Sequence, residues 1–232
     1  MNGQADAGMG DATRSVRVWD VPVRIFHWLL VALTMTSWVT SEIGDDAMTY
    51  HRWSGYSILT LVLFRLVWGF VGSRHARFAA FAYGPRSVLG YARELLQLSP
   101  PYYAGHNPLG GWSVILMLIS VVLQATTGLF ANDDAAAEGP LSRLVSASAA
   151  SLLTTIHRYN FNVLLALIAV HVAAVLFYLI VKRENLIVAM ITGRKQVPAQ
   201  FAATNESMTS PWLAAVVAFV IAGAVAVVVN WR

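Results

Sequence analysis

Five apolar runs, each bounded by polar or charged residues, set the plan of the chain. They are Pro22–Thr40, Trp53–Val71, Trp112–Phe130, Leu152–Val181 and Trp212–Val229. Each approaches or exceeds the roughly 20 apolar residues that carry a helix across a bilayer. The fourth is longer than needed, which predicts a helix that tilts or runs on into the interface. Between the second and third runs, Arg86–Leu98 sets Val88, Leu89, Ala92, Leu95 and Leu96 at helical spacing beside Arg93, Glu94 and Gln97. That pattern predicts a short amphipathic helix on the membrane surface, ended by Pro100-Pro101. Residues 1–21 hold no apolar core, so the first helix itself, not a cleaved signal, is expected to direct membrane entry. The resulting division is a flexible segment 1–15, a four-helix unit 16–195, a polar linker 196–211 and a fifth helix 212–232.

Composition agrees with the pattern. Of the 232 residues, 57% are hydrophobic and 12% charged, against about 25% charged in a soluble domain. The chain has no cysteine. Covalent c-type haem, iron–sulfur clusters held by thiolates and zinc knuckles are therefore excluded. Any metal must be held by histidine or carboxylate.

The net charge of +4 gains meaning from its placement. The first loop carries Glu42, Asp45 and Asp46, and the third carries Asp133, Asp134 and Glu138 against Arg143 alone. The second carries Arg74, Arg77, Arg86 and Arg93, and the fourth Lys182, Arg183, Arg194 and Lys195. With Arg14, Arg17 and Arg24, eleven of the 16 basic residues fall on one side. The positive-inside rule makes that side cytoplasmic, with the N-terminus in and the C-terminus out. Trp53, Trp112, Trp212 and Trp231 mark span ends as interfacial anchors.

Four of the six histidines, His27, His51, His157 and His171, lie in or at the ends of spans. Orientation puts His51 and His157 near the outer surface and His27 and His171 deeper toward the inside. The 14 residues between His157 and His171 return to within about 40° of one helix face after a rise of roughly 21 Å. One face of the fourth helix thus presents two imidazoles at two depths. Two bis-imidazole pairs suit two b-type haems, whose irons take two axial ligands from opposite sides. Zinc, the competing reading, gathers three or four ligands in one place.

Cations stand near both levels. Arg52 follows His51, and Arg158 follows His157. Arg65 lies 14 residues after His51 on a similar face, at the inner level. No span contains Asp or Glu, so a propionate of an inner haem is the expected partner of Arg65. Arg52 and Arg158 suit either outer propionates or the interface alone. Gly55 and Gly69 admit either a macrocycle or a neighbouring helix. His75 and His106 read as exposed loop histidines.

The residues resemble a known family. Val18-Trp19-Asp20-Val21-Pro22-Val23-Arg24-Ile25-Phe26-His27-Trp28 is similar to the opening of the bacterial cytochrome b561 and nickel–iron hydrogenase b-type cytochrome superfamily. His51-Arg52-Trp53-Ser54-Gly55-Tyr56 and Leu63-Phe64-Arg65-Leu66-Val67-Trp68-Gly69 resemble its second helix. Gly105-His106-Asn107-Pro108-Leu109-Gly110-Gly111-Trp112 and the stretch from Val181 to Lys195 are similar too. The resemblance spans about Val16 to Lys195. It implies an all-α integral membrane protein, a four-helix bundle holding two haem b, with one further C-terminal helix.

The function expected is an electron-transferring cytochrome of the respiratory chain, working between quinone (ubiquinone among the candidates) and a redox partner. A periplasmic cytochrome or dehydrogenase subunit, or a second copy of the chain, would be its protein partner. No hydrolytic triad, phosphate loop or base-reading element is present, so no catalytic side chain is named and no nucleic acid is expected. The alternative is a superoxide:quinone oxidoreductase. It would need a cationic outer rim, which Arg52, Arg143 and Arg158 would have to supply against acidic loops. A haem-free scaffold or metal transporter is the third reading.

Overall fold

The computed structural model describes residues 13–96, 101–132, 138–198 and 208–231. Most of the segment expected to be flexible (1–12), residues 97–98 at the end of the amphipathic helix, Pro100, Asp133, Asp134 and linker residues 199–207 lie outside the described residues. Seven α-helices, four single-turn 3-10 helices and one two-stranded ribbon are found among the described residues. Five helices are long and apolar enough to cross a membrane: α1 (Val21–Ile43), α2 (Met48–Val71), α4 (Pro108–Phe130), α5 (Ala147–Ile180) and α7 (Pro211–Val229).

Their ends follow local chemistry. The Asp20 side chain accepts from the Val23 amide at 2.9 Å, and Pro22 fills a first-turn position where its missing N–H costs nothing. Asn107 and Pro108 start α4 in the same way, with Gly110 N donating to Asn107 Oδ1 at 2.8 Å. Ser146 caps α5. The α1–α2 turn reverses at Gly44, whose φ of 71° suits glycine. With 34 residues, α5 is about 51 Å long and outruns a hydrocarbon layer of about 30 Å.

Helices α1 and α2 form one antiparallel hairpin, and α4 and α5 a second. Contact between α2 and α4 joins the hairpins. Val62 and Trp68 of α2 are fully enclosed at this seam, with Leu118 and Val121 of α4 nearby in the same core. Among the spans, α5 packs closely on α4 alone. It stands off from α1 and α2 and meets them through facing rings, as in Trp38–Phe161 with centroids 6.0 Å apart. Helix α7 lies against α2 and touches α1, burying Ala214 and Val225.

The end of the bundle that carries the basic loops is the more elaborate one. The amphipathic helix is α3 (Pro85–Leu96). It turns Tyr91 inward, where the phenol bonds the Tyr178 hydroxyl of α5, while Leu89 and Leu96 stay exposed. Asn107 Nδ2 donates to the same Tyr178 hydroxyl at 2.8 Å, tying three elements together. A short helix, α6 (Leu186–Thr192), ends at Gly193 in the left-handed region.

Strand β1 (Thr13–Arg17) then pairs antiparallel with β2 (Arg194–Pro198), Ser15 facing Gln196. The ribbon takes in residues 13–15 and 196–198, which flank the expected four-helix unit 16–195. The runs are only five residues long and mostly polar, so the hydrophobic pattern carries no strand signal there. The enclosed side chains of Val18 and Val197 anchor the ribbon.

Candidate functional site

The histidines of the spans meet in twos across the gap between α5 and the first hairpin. His51, in the first turn of α2, faces His157 of α5 with ring centroids 6.2 Å apart. His27, in the second turn of α1, faces His171 with centroids 6.5 Å apart. An iron held about 2 Å from one nitrogen of each of two rings separates the ring centres by about 6 Å. Both pairs therefore stand at the spacing of an axially ligated iron. Among the described residues no three His, Cys, Asp or Glu side chains converge as a metal site.

The acidic-side pair is oriented by carbonyls. His51 Nδ1 lies 2.8 Å from the Ser37 carbonyl oxygen, and His157 Nδ1 lies 2.9 Å from that of Gln124. A carbonyl only accepts, so each Nδ1 carries the proton and each Nε2 presents its lone pair. Ser37 Oγ and Thr127 Oγ1, each at 3.2 Å, lie close to the same N–H groups.

A polar chain in the bilayer core continues from Gln124. Asn160 Nδ2 donates to Gln124 Oε1 at 2.7 Å and to the Ser120 carbonyl at 2.9 Å, while Ser120 Oγ donates back to Asn160 Oδ1 at 3.1 Å. These bonds fix the register of α4 against α5 and so the carbonyl that His157 reaches. Sequence reasoning passed over Asn160. Its signal was an amide three residues after a span histidine, which shares that residue's helix face.

The glycines separate into two roles. A Cβ on Gly55, one turn after His51, would meet open space, as a cradle for a flat group requires. A Cβ on Gly69 would strike the Phe78 ring, so Gly69 serves packing. On α4, a Cβ at Gly128 would come within 3.0 Å of His157 Cε1, so this glycine leaves the imidazole its room.

The cations are unequally placed. Arg52 is half-buried and Arg158 exposed, each next in sequence to a histidine of the acidic-side pair, and Arg52 Nη2 donates to Thr49 Oγ1 at 3.3 Å. Arg143 lies at 3.2 Å from Glu138, which offsets one cation of the outer rim that superoxide attraction would need. Arg65 is 3% exposed and lies over the rings of Phe78 and Phe81, its guanidinium carbon 5.2 and 5.9 Å from their centroids. Its Nη1 is buried without a hydrogen-bond partner.

A carboxylate does act on Arg65, from just before the start of α1. Asp20, 5% exposed, attracts it through space. Both oxygens of Asp20 are already engaged, one by Val23 N and the other by Trp68 Nε1 at 2.9 Å. Asp20 thus ties the start of α1 to the end of α2; a helix-start signature of Asp before Pro suggests the cap, though not the indole.

One loop histidine departs from expectation. His106 is not an exposed residue: its ring lies between Trp19 and Phe81, 4.7 Å from each centroid, and its Nδ1 is sealed from solvent. His75 stands by, 6.5 Å from Trp19. The aromatic positions on either side of the Asp20 and Gly105 turns were the available signal.

Comparison with known proteins bears on this arrangement. Residues 18–193 match the sequence profile of prokaryotic cytochrome b561. A probable Ni/Fe-hydrogenase B-type cytochrome subunit of Rhizobium leguminosarum bv. viciae is 25% identical over 213 residues, covering 78% of this chain and 89% of that one. Proteins of the same description from Rhodobacter capsulatus (24% identical; 80% and 87% covered) and Azotobacter vinelandii (27% identical; 79% and 92% covered) are also similar. No solved structure matches the chain. The profile takes in all four span histidines, Asp20, Arg65 and His106, and with it this chain, a multi-pass membrane protein, belongs to the prokaryotic cytochrome b561 family.

Proposed function

We propose that the chain is a dihaem electron-transfer subunit, with one haem b between His27 and His171 and the other between His51 and His157. The observation that carries this reading is the pair of facing imidazoles at each of two depths, both at iron-sandwich spacing. When bound, haem supplies the one-electron chemistry. The chain supplies the rest. Carbonyls hold His51 and His157 in one tautomer and raise the basicity of Nε2. Apolar helices exclude water. Arg65 meets a propionate at the His27–His171 level, and Arg52 and Arg158 do so at the other.

The basic face is cytoplasmic by loop charge, with the N-terminus inside and the C-terminus in the periplasm. Relatives described as hydrogenase cytochrome subunits favour a hydrogenase-like dehydrogenase as the protein partner. Quinone, ubiquinone being the first candidate, is the membrane-soluble one. The test is haem stoichiometry and a reduced-minus-oxidised spectrum of the purified protein. Two low-spin b haems per chain are expected. His157→Ala and His171→Ala should each retain about one, and the haem retained should differ in midpoint potential between the two variants. Two haems surviving in either variant would overturn the ligand assignment.

A further inference from the structure

Among the described residues, four buried side-chain nitrogens have no hydrogen-bond partner: Arg24 Nε, His27 Nδ1, Arg65 Nη1 and His106 Nδ1. All four gather at the basic end, around the His27–His171 pair. At the acidic end, both imidazoles have carbonyls for Nδ1. A buried donor left unpaired costs about 1–3 kcal/mol, and more when charged. The two arginine nitrogens are donors, and an acceptor from outside the chain would also select the Nδ1–H tautomer of the two imidazoles, whose Nδ1 has no partner in the chain.

Two of the four flank one aromatic ring. Phe81 lies against both Arg65 and His106, with Trp19 closing the far side of the imidazole. The surroundings of His106 are positive. Burial, then the charge of Arg65, then His75, His171 and Lys195 hold its pKa down to about 3. The ring is neutral at physiological pH and carries a single N–H. Burial penalises either sign of charge, but the Arg65 cation beside the ring favours an anion there. Asp20 attracts Arg65 through space but accepts no hydrogen bond from Nη1, which is left without a partner. His106 also feels His171 through space, which puts the ring beside the inner pair.

We propose that His106 Nδ1–H and Arg65 Nη1 jointly bind one carboxylate, and that, on the dihaem reading, it is a propionate of the haem held by His27 and His171. The chain supplies one neutral donor and one cation. The first fixes the carboxylate in place, and the second balances its charge. A loop outside the spans thereby takes part in setting the potential of a group within them.

The experiment is a redox titration of the intact, detergent-purified holoprotein. His106→Phe keeps a ring between Trp19 and Phe81 and removes the donor. The propionate then carries more of its charge unscreened, so the midpoint of one haem should fall while the other stays fixed. His106→Asn, whose amide nitrogen sits close to the position of Nδ1, should restore most of the shift. Should His106→Phe not accumulate, His106→Gln moves the donor away from Nδ1 and is expected to lower the same midpoint. Wild-type midpoints in His106→Phe with both haems present overturn the proposal, and so does an unchanged titration accompanied by a raised KM for quinol. A wild-type protein with fewer than two haems instead overturns the dihaem reading, so the two failures are distinguishable.

Discussion

Asp20 shows how much one side chain can hold together. One oxygen caps α1 and the other receives the Trp68 indole, while its charge attracts Arg65 through space. Losing a cap costs about 1 kcal/mol, and leaving the buried indole N–H unpaired costs about 1–3 more. Asp20→Ala should therefore destabilise the protein by about 2–4 kcal/mol, read from thermal unfolding in detergent. Asp20→Asn, which keeps an acceptor for Val23, should fall in between. Wild-type stability in Asp20→Ala would mean that the α1–α2 hairpin is held by its apolar seam alone. Arg65 belongs beside Asp20 in this account. Its guanidinium lies over two phenylalanines and is served by a carboxylate that the sequence places just before a span rather than inside one.

At the scale of elements, α7 invites a clean experiment. It carries no histidine, and its described contacts run to α2 and α1 through Ala214, Val225 and their neighbours. Those contacts lie away from the imidazole pairs, which face α5. A chain ending after Pro198 keeps the β1–β2 ribbon intact. It should insert, retain both haems and show an unaltered spectrum, with a lower midpoint of thermal unfolding from the lost α2–α7 packing. Haem loss from a stably inserted truncation would show that five helices, not four, form the binding unit. Helices α4 and α5 behave differently. Their Ser120–Gln124–Asn160 bonds are buried in a layer without water, where the only alternative to a protein partner is an unsatisfied group.

For the whole molecule, the spans and the pairing of histidines were legible because they rest on long-range periodicity, and that survives in a single sequence. Apolar runs gave the helices, loop charge gave a common side, and a 14-residue interval gave one face at two depths. Asp20, His106 and Asn160 were not legible as partners. Their roles arise from groups 48, 87 and 36 residues away, at Trp68, Trp19 and Gln124, and no local pattern encodes such meetings. The ribbon joins segments at the two ends of the four-helix unit and was hidden for the same reason.

The interval along α5 has an electrical consequence. The two imidazole levels differ by about 21 Å along a helix crossing about 30 Å of hydrocarbon. On the dihaem reading, an electron passing from one level to the other traverses roughly two thirds of the membrane's voltage drop. At about 2.3 kcal/mol per 100 mV for the full drop, that is about 1.6 kcal/mol per 100 mV. In proteoliposomes of fixed orientation, a 100 mV diffusion potential should shift the electron's distribution between the levels about fifteen-fold, visible as a change in which haem is reduced. A distribution indifferent to voltage would place both centres at one electrical depth. The separation of the two pairs along a single helix would make this cytochrome responsive to the charge state of the membrane that holds it.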